Sequence, residues 1–220
     1  MAKKKLANYL VILIIGLVFI LAAVIFFYPK SQKIKPVEKK ITLLEVFSKQ
    51  RTAYQNKMEP NIKAVVDKSN QLISEAIQMI GNNNCLIQRG NSNLFVKLTQ
   101  LVKIGEALVS KYPDNAFFHF NLGYVYNWAH CFDFAGDNIA QEELQKAVEI
   151  DSNLLEARMY LAGVLINMEK YKEAIPHFEA IISKVDDCSY CYQSLGEIYT
   201  RLGDKAKAKD ALEKAKNLKQ

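Results

Sequence analysis

Residues 189–220 read SYCYQSLGEIYTRLGDKAKAKDALEKAKNLKQ, and the spacing of their apolar residues indicates the fold class. Its apolar positions repeat those of the preceding segment at a fixed interval of 34 residues. A period of this length, with small and large apolar residues in fixed places, indicates stacked helical hairpins. The recurring residues are Leu161, Leu165, Ala174, Phe178 and Ile181, which return as Leu195, Tyr199, Ala208, Leu212 and Ala215.

The small residues of this repeat predict how closely its helices pack. Gly196 and Ala208 have little or no side chain, so the two helices of the hairpin can approach each other. One hairpin cannot bury its apolar face alone, and about three stacked hairpins are needed for stability. The sequence therefore predicts an all-α solenoid of about three to four hairpins.

The last repeat resembles the tetratricopeptide repeat (TPR) family. Its pattern follows the family's W-x2-L-G-x2-Y series, with tyrosine in the tryptophan position, and then the L-G-D turn and the small-residue positions of the second helix. The resemblance implies a protein-binding solenoid whose concave face is lined mainly by the first helix of each repeat. The matching residues are Tyr192, Leu195, Gly196, Tyr199, Leu202, Gly203, Asp204, Ala208, Leu212 and Ala215.

The resemblance extends toward the N-terminus with decreasing strength. The repeat at 155–188 keeps most of the pattern, including Leu161. The repeat at 116–154 opens with Leu122 and is similar to the family except for five extra residues between its helices. Residues 61–115 are expected to form a further, degenerate hairpin.

A second feature of the chain is the apolar stretch LANYLVILIIGLVFILAAVIFFY at 6–28, which contains no charged residue. As a helix rising about 1.5 Å per residue, it is long enough for a hydrocarbon core of roughly 30 Å. No small-residue cleavage site follows it. We therefore expect an uncleaved transmembrane helix, through which the protein contacts the membrane.

The segment between this stretch and the repeats is expected to hold one more helix. Leu43, Phe47, Tyr54 and Met58 share one helical face, and this helix is expected to cap the N-terminal end of the solenoid or to pair with another copy. The predicted organisation is a basic tail at 1–5, a transmembrane helix at 6–28, a basic stalk at 29–41, a linker or capping helix at 42–60, a degenerate hairpin at 61–115, and TPR units at 116–154, 155–188 and 189–220.

The formal net charge of +6 is confined to the N-terminal region. Residues 1–40 hold eight of the 29 Lys and Arg residues but only one of the 23 Asp and Glu residues. The rest of the chain is nearly neutral, whereas a nucleic-acid-binding protein needs a basic face on its folded domain. We therefore expect no nucleic-acid partner. The lysines of residues 1–40 are expected to face lipid headgroups or solvent.

The lysines leave two alternatives for the membrane topology. Five lysines between positions 30 and 40 favour a cytoplasmic location for the carboxyl side of the span. Against this, the short basic tail at 1–5 is similar to the n-region of a signal anchor, which stays inside. We expect a single-pass protein with a cytoplasmic N-terminus and extracytoplasmic repeats.

The four cysteines suggest two disulfides once they are placed in a stack of TPR hairpins. Cys85 and Cys131 belong to loops within hairpins, which share one edge of such a stack. Cys188 and Cys191 lie at a junction between repeats, on the other edge. We expect Cys85–Cys131 and Cys188–Cys191 bonds in an oxidising compartment. Four free thiols in a reduced protein are the alternative.

Catalytic and metal-binding patterns are absent from the sequence. The three histidines, His119, His130 and His177, form no metal-binding pair, and the chain has no serine elbow and no phosphate-binding glycine loop. Haem attachment needs a histidine directly after Cys191, where this chain has Tyr192. We predict no enzymatic activity, no cofactor and no metal.

Partner contacts are expected on the first helix of each repeat, where the resemblance places the concave face. Aromatic side chains there are typical anchors because they bury a large area with few rotatable bonds. The alternative is that Phe117, Phe120 and Trp128 pack on the preceding hairpin. The candidate partner-binding residues are Phe117, Phe120, Tyr124, Asn127, Trp128, Met159, Asn167, Tyr190, Gln193 and Arg201.

These observations favour a membrane-tethered TPR scaffold that docks a partner protein or peptide in its concave groove. The resemblance implies a role in the assembly, secretion or folding of envelope proteins. One alternative is a structural subunit of a membrane complex, and another is a thiol-redox factor that uses Cys188 and Cys191. Homo-oligomerisation through the helix at 42–60 also stays open.

Overall fold

The computed structural model describes residues 42–80, 92–129 and 136–218. These residues form nine α-helices, and their only β-type pairing is an isolated bridge between Thr42 and Asp187. The predicted all-α class is therefore confirmed. The helices are α1 (Leu43–Asn56), α2 (Pro60–Ile80), α3 (Ser92–Lys111), α4 (Ala116–Ala129), α5 (Gly136–Ile150), α6 (Leu155–Asn167), α7 (Tyr171–Ile182), α8 (Ser189–Arg201) and α9 (Lys205–Asn217).

Eight of these helices form four consecutive hairpins. Helix α2 pairs with α3, α4 with α5, α6 with α7, and α8 with α9. Each hairpin stacks on the next through the α3–α4, α5–α6 and α7–α8 contacts. The predicted solenoid of hairpins is confirmed, because each unit covers the apolar face that its neighbour cannot bury alone.

Polar side chains fix where several helices begin. The Thr42 hydroxyl oxygen accepts a hydrogen bond from the Glu45 amide at 3.3 Å, at the start of α1. Asn115 accepts from the Phe117 amide at 3.0 Å before α4. Each such cap satisfies an amide that has no partner within its helix and contributes about 1 kcal/mol.

The core lies between the layers of helices. Leu144, Leu161 and Phe178 are fully buried, and each such side chain stabilises the fold by about 1.5 to 3 kcal/mol. The predicted close approach at Gly196 is present between α8 and α9. A Cβ atom at this glycine would lie 2.6 Å from the side chain of Leu212.

Helices α6 and α8 end in the same backbone motif, one repeat apart. The Asp204 amide donates to the Tyr199 carbonyl at 2.9 Å, and Gly203 has a φ of +78°. In the preceding repeat the Lys170 amide donates to the Leu165 carbonyl at 2.8 Å, and Glu169 has a φ of 59°. This motif needs a left-handed residue, for which only glycine carries no Cβ penalty.

We expect the Glu169→Gly variant to be more stable than the natural protein by about 1 kcal/mol, because it removes the steric cost of a left-handed glutamate. The free energy of unfolding from chemical denaturation measures the gain. The matched control is Gly203→Ala, which introduces a Cβ at the equivalent position and should lose a similar amount. A loss of stability in both variants would show that Glu169 contributes through its side chain.

The structure contains one of the two expected disulfides among its described residues. Cys188 and Cys191 are bonded, with their Cα atoms 5.2 Å apart, at the start of α8. The Cys188 sulfur also accepts a hydrogen bond from the Cys191 amide at 3.2 Å. The disulfide therefore ties the first turn of α8 to the junction with α7. Cys85 and Cys131 lie outside the described residues.

The predicted membrane span at 6–28 and the stalk at 29–41 also lie outside the described residues. Across the three described ranges, no helix is both long enough and apolar enough to cross a membrane.

Candidate partner-binding groove

The first helices of successive hairpins form one side of a groove. Helices α4 and α6 contact each other, and residues of α4, α6 and α8 line a single cleft of about 580 Å³. Helix α1 supplies the remaining wall. The cleft is lined by Leu43, Phe47, Asn127, Met159, Tyr160, Gly163, Ile166, Asn167, Tyr190, Gln193, Ser194 and Glu197.

Half of the predicted partner-binding residues line this cleft. They come from three helices, so stacking of the repeats brings them together. Tyr190 is 55% exposed, which leaves much of its ring available for contact. Contact of these residues with a partner stays a prediction. The five residues are Asn127, Met159, Asn167, Tyr190 and Gln193.

The cleft combines an apolar floor with polar walls. Met159, Tyr160 and Ile166 are half-buried and present carbon surface. Gly163 deepens the cleft, because nothing lies within 4 Å of where its Cβ would be. Glu197 is the charged residue of the lining, and it accepts a hydrogen bond at 3.3 Å from the side-chain amide of Gln193, one turn earlier in α8. The cleft therefore suits apolar side chains and hydrogen-bond donors.

Three aromatic residues of α4 that are predicted to bind a partner are covered by other side chains. Phe117, Phe120 and Tyr124 are 2%, 1% and 7% exposed, so they do not form an open binding surface in this structure. The ring of Tyr54 in α1 stacks on Phe117 at a centroid distance of 5.5 Å. On the next repeat, Tyr160 meets the edge of Tyr124 at 4.7 Å. Burial raises the pKa of both Tyr124 and Tyr160 above the ordinary value.

Two further predicted residues lie outside the cleft. Trp128 is half-buried and packs edge-on against Tyr124, with ring centroids 6.1 Å apart. Arg201, at the end of α8, is exposed and does not contribute to the lining. The ring contacts of these aromatic residues lie within α4 and join it to α1 and α6, whereas the alternative placed Phe117, Phe120 and Trp128 against the preceding hairpin.

Helix α1 is attached to the start of α6 by an ion pair. Arg51 donates from Nε to Oε2 of Glu156 at 2.7 Å and from its terminal nitrogen to Oε1 of the same carboxylate. The Glu156 side chain is only 5% exposed, whereas that of Arg51 is 46% exposed. This two-point contact raises the pKa of Arg51 above its ordinary value.

A glutamine of α1 caps α6 from outside. Gln50 donates from Nε2 to the Asn153 carbonyl, and its Oε1 accepts from the Leu155 amide at 3.2 Å. The residue at the N-cap of α6 is Leu154, which offers no side-chain hydrogen bond. An amide at the first turn of α6 is therefore satisfied by a residue more than a hundred positions earlier in the chain.

Tyr54 completes the attachment. Its hydroxyl donates to Oδ2 of Asp151 at 2.5 Å, in the connection between α5 and α6. Burial, together with this hydrogen bond to a carboxylate, raises the pKa of Tyr54 above its ordinary value. The hydroxyl therefore stays protonated and acts as a donor throughout the neutral range.

Sequence reasoning missed the role of α1. The sequence predicts this helix at 42–60, as a cap of the solenoid or as a contact with another copy, and the contact with another copy stays a prediction. The structure instead places it on the groove, where its start meets Asp187 and its end meets Phe117. The alternation of apolar and polar residues in α1 shows which face packs. It does not show that Gln50 and Arg51 face residues about a hundred positions away.

Chemically, the site is suited to binding. Among the residues that the structure describes, no three His, Cys, Asp or Glu side chains come together as a metal site. The groups that converge in the groove are amides, carboxylates and aromatic rings.

A family pattern with the description "Tetratricopeptide repeat" matches residues 189–220. A human relative, "Protein O-mannosyl-transferase TMTC1", is 37% identical over 75 residues. That match covers 34% of this chain and 8% of the human protein. The chain therefore corresponds to a small part of that relative.

Similar solved structures include several of MamA. "MamA MSR-1 C2" superposes with a TM-score of 0.53 at 17% identity, covering 77% of this chain and 97% of that one. A second MamA crystal structure gives 0.52 at 19% identity, with 74% and 95% covered. MamA from Desulfovibrio magneticus RS-1 gives 0.50 at 18%, with 69% and 76% covered. At these identities the likeness shows the fold.

Proposed function

Because this chain is a tetratricopeptide-repeat protein, we propose that it is a scaffold that docks a partner protein or peptide in the cleft between α1, α6 and α8. The observation that carries the proposal is the open cleft of about 580 Å³ itself. It is lined by half of the residues that the repeat pattern predicts to face a partner. A cleft of this size accommodates a few side chains of a peptide or helix.

The contacts expected in the cleft follow from its lining. Tyr190 and Met159 offer apolar area, and Asn167 offers an amide that can pair with the backbone of a peptide. Glu197 adds a negative charge, which favours a partner with a basic or hydrogen-bond-donating group. Docking of this kind needs no catalytic group, and we propose binding as the activity of the domain. The transferase named for the human relative is not proposed for this chain.

The membrane tether is part of the same proposal. The uncharged stretch at 6–28 supports a single-pass anchor, and the short basic tail at 1–5 supports a cytoplasmic N-terminus. The bonded Cys188 and Cys191 are compatible with repeats outside the cytoplasm. In that position the scaffold would assist the assembly, secretion or folding of envelope proteins.

The placement of α1 favours a second candidate, a structural subunit of a membrane complex. Helix α1 already fills the half of the groove near Phe117. In such a subunit the open cleft would be filled permanently by another component. The two candidates differ in whether a partner protein binds reversibly to a free cleft or occupies it permanently.

Site-specific photocrosslinking of the full-length protein in its membrane tests the proposal. A photoreactive residue replaces the exposed Asn167 in the cleft, or the exposed Lys172 on α7 as a control outside it. A Gly163→Trp substitution then fills the cleft without a clash at its Cβ. We expect a defined product from position 167 only, reduced at least about tenfold by Gly163→Trp through steric exclusion.

The Gly163→Ala variant is the matched control, since it alters the same position without filling the cleft. Equal products from positions 167 and 172 would contradict docking in the cleft. A crosslinked product that persists in Gly163→Trp, and whose amount stays in a fixed ratio to this protein, would instead support the structural-subunit candidate.

A further inference from the structure

Helix α1 contacts the rest of the protein through one face. The side chains that make the contacts follow Leu43 by four, seven, eight and eleven positions, which places them on one side of a helix. This series consists of two apolar residues, then a glutamine and an arginine, then a tyrosine. The five residues are Leu43, Phe47, Gln50, Arg51 and Tyr54.

The surface under α1 is more deeply buried than α1 itself. None of the residues of α1 is buried, whereas Phe117 and Glu156 beneath it are 2% and 4% exposed. Helix α6, by comparison, buries seven residues. The apolar side chains of α1 that pack on the core are only partly buried, and each polar contact of α1 has a modest net effect because water competes for the same groups. The four hairpins also pack on one another without α1.

Release of α1 would leave this surface chemically incomplete. Glu156 would lose its guanidinium partner, and Asp151 would lose its phenol donor. The Leu155 amide would lose its acceptor, and the ring of Phe117 would lose its stacked neighbour. A carboxylate in a partly apolar setting favours a new cation over none. We call this surface the α1 site, defined by Phe117, Asp151, Asn153, Leu155 and Glu156.

We infer that α1 is a displaceable occupant, and that the α1 site recognises an amphipathic helix of a partner protein with the same series of side chains. This inference rests on the proposed scaffold function and names the chemistry of a partner helix that would replace α1 as the wall of the cleft. Arginine is required because Glu156 accepts two N–H groups from one guanidinium, which a lysine cannot provide in the same geometry. The partner helix and α1 compete because they use the same atoms, so α1 sets the concentration at which a partner binds.

Binding of a labelled peptide to the full-length protein tests this competition. The probe is TLLEVFSKQRTAYQNKM, the sequence of residues 42–58, with a fluorophore at its N-terminus. The full-length Arg51→Ala variant lacks the ion pair that holds α1 on the protein. We expect the peptide to bind this variant about tenfold more tightly than it binds the natural protein. Lys49→Ala is the matched control, because Lys49 lies on the exposed side of the same helix.

Two further variants test the recognition itself. A peptide with Arg51→Ala should lose at least about tenfold in affinity, and a peptide with Lys49→Ala should bind as the natural one does. Glu156→Gln in the full-length Arg51→Ala background should abolish the gain while keeping the shape of the side chain. Equal affinity for the natural protein and its Arg51→Ala variant would overturn the inference, and so would an equal effect of the two peptide substitutions.

Hydrogen exchange of the full-length protein provides a readout that needs no peptide. The backbone amides of α1 should exchange at least about tenfold faster in Arg51→Ala, while those of α7 and α9 keep their rates. Unchanged protection of α1 would show that it is not displaceable. Unchanged exchange of α1, together with intact crosslinking from position 167, would overturn this inference and leave the proposed function of the cleft standing. Loss of that crosslinking with intact peptide binding overturns the proposed function of the cleft.

Discussion

The Phe178→Ala variant is expected to lose about 4 kcal/mol of unfolding free energy. Phe178 is fully buried in α7, and its ring lies edge-on to Tyr190 of α8 at a centroid distance of 6.2 Å. Truncation removes the buried ring and leaves a cavity at the junction of two hairpins. Chemical denaturation followed by circular dichroism measures the loss.

Tyr190→Ala is the matched control, because it removes the other ring of the same contact. Tyr190 is 55% exposed, so this variant should lose less than about 1 kcal/mol. Partner capture should nevertheless decrease in Tyr190→Ala, since the ring lines the cleft. Similar losses of stability in the two variants would mean that the ring contact itself, and not burial, holds α7 against α8.

The Gly123→Ala variant is expected to lose about 3 kcal/mol. A Cβ at Gly123 would lie 2.7 Å from Cγ of Leu144, which is fully buried, and 3.1 Å from the Ala140 carbonyl oxygen. Neither neighbour can move aside freely, so α4 and α5 must separate. The same denaturation experiment measures the effect.

Gly163→Ala serves as the comparison within the same kind of helix. Nothing lies within 4 Å of its added Cβ, so the variant should gain up to about 1 kcal/mol from reduced flexibility of the unfolded chain. A neutral Gly123→Ala would show that the first full repeat accommodates a wider separation of its helices than the structure indicates.

The helices and their stacking can be predicted from local sequence patterns, namely the repeat interval and the positions of small residues. The interval of 34 residues places Leu161 and Leu195 in equivalent layers, and both are buried as expected. The close approach at Gly196 likewise needs only the absence of a side chain. Such features are set by spacing along the chain, because residues of one hairpin are near in sequence as well as in space.

The candidate site was only partly predictable. Met159, Asn167 and Tyr190 line the cleft because their positions in the first helix of a repeat face the same side in every unit. Phe117 and Phe120 occupy positions of the same kind, but they are covered. Periodicity identifies the face on which a residue lies, whereas burial depends on which other segment packs against that face.

The repeat, the helical class and the positions that face the groove can be predicted from the sequence, because each depends on spacing within one or two hairpins. The position of α1 in the groove, the pairing of Glu156 with Arg51 and the open cleft beside Tyr190 are visible only in the folded structure. These contacts join residues about a hundred positions apart. They depend on matching shape and charge between two surfaces, which no periodicity in either segment records.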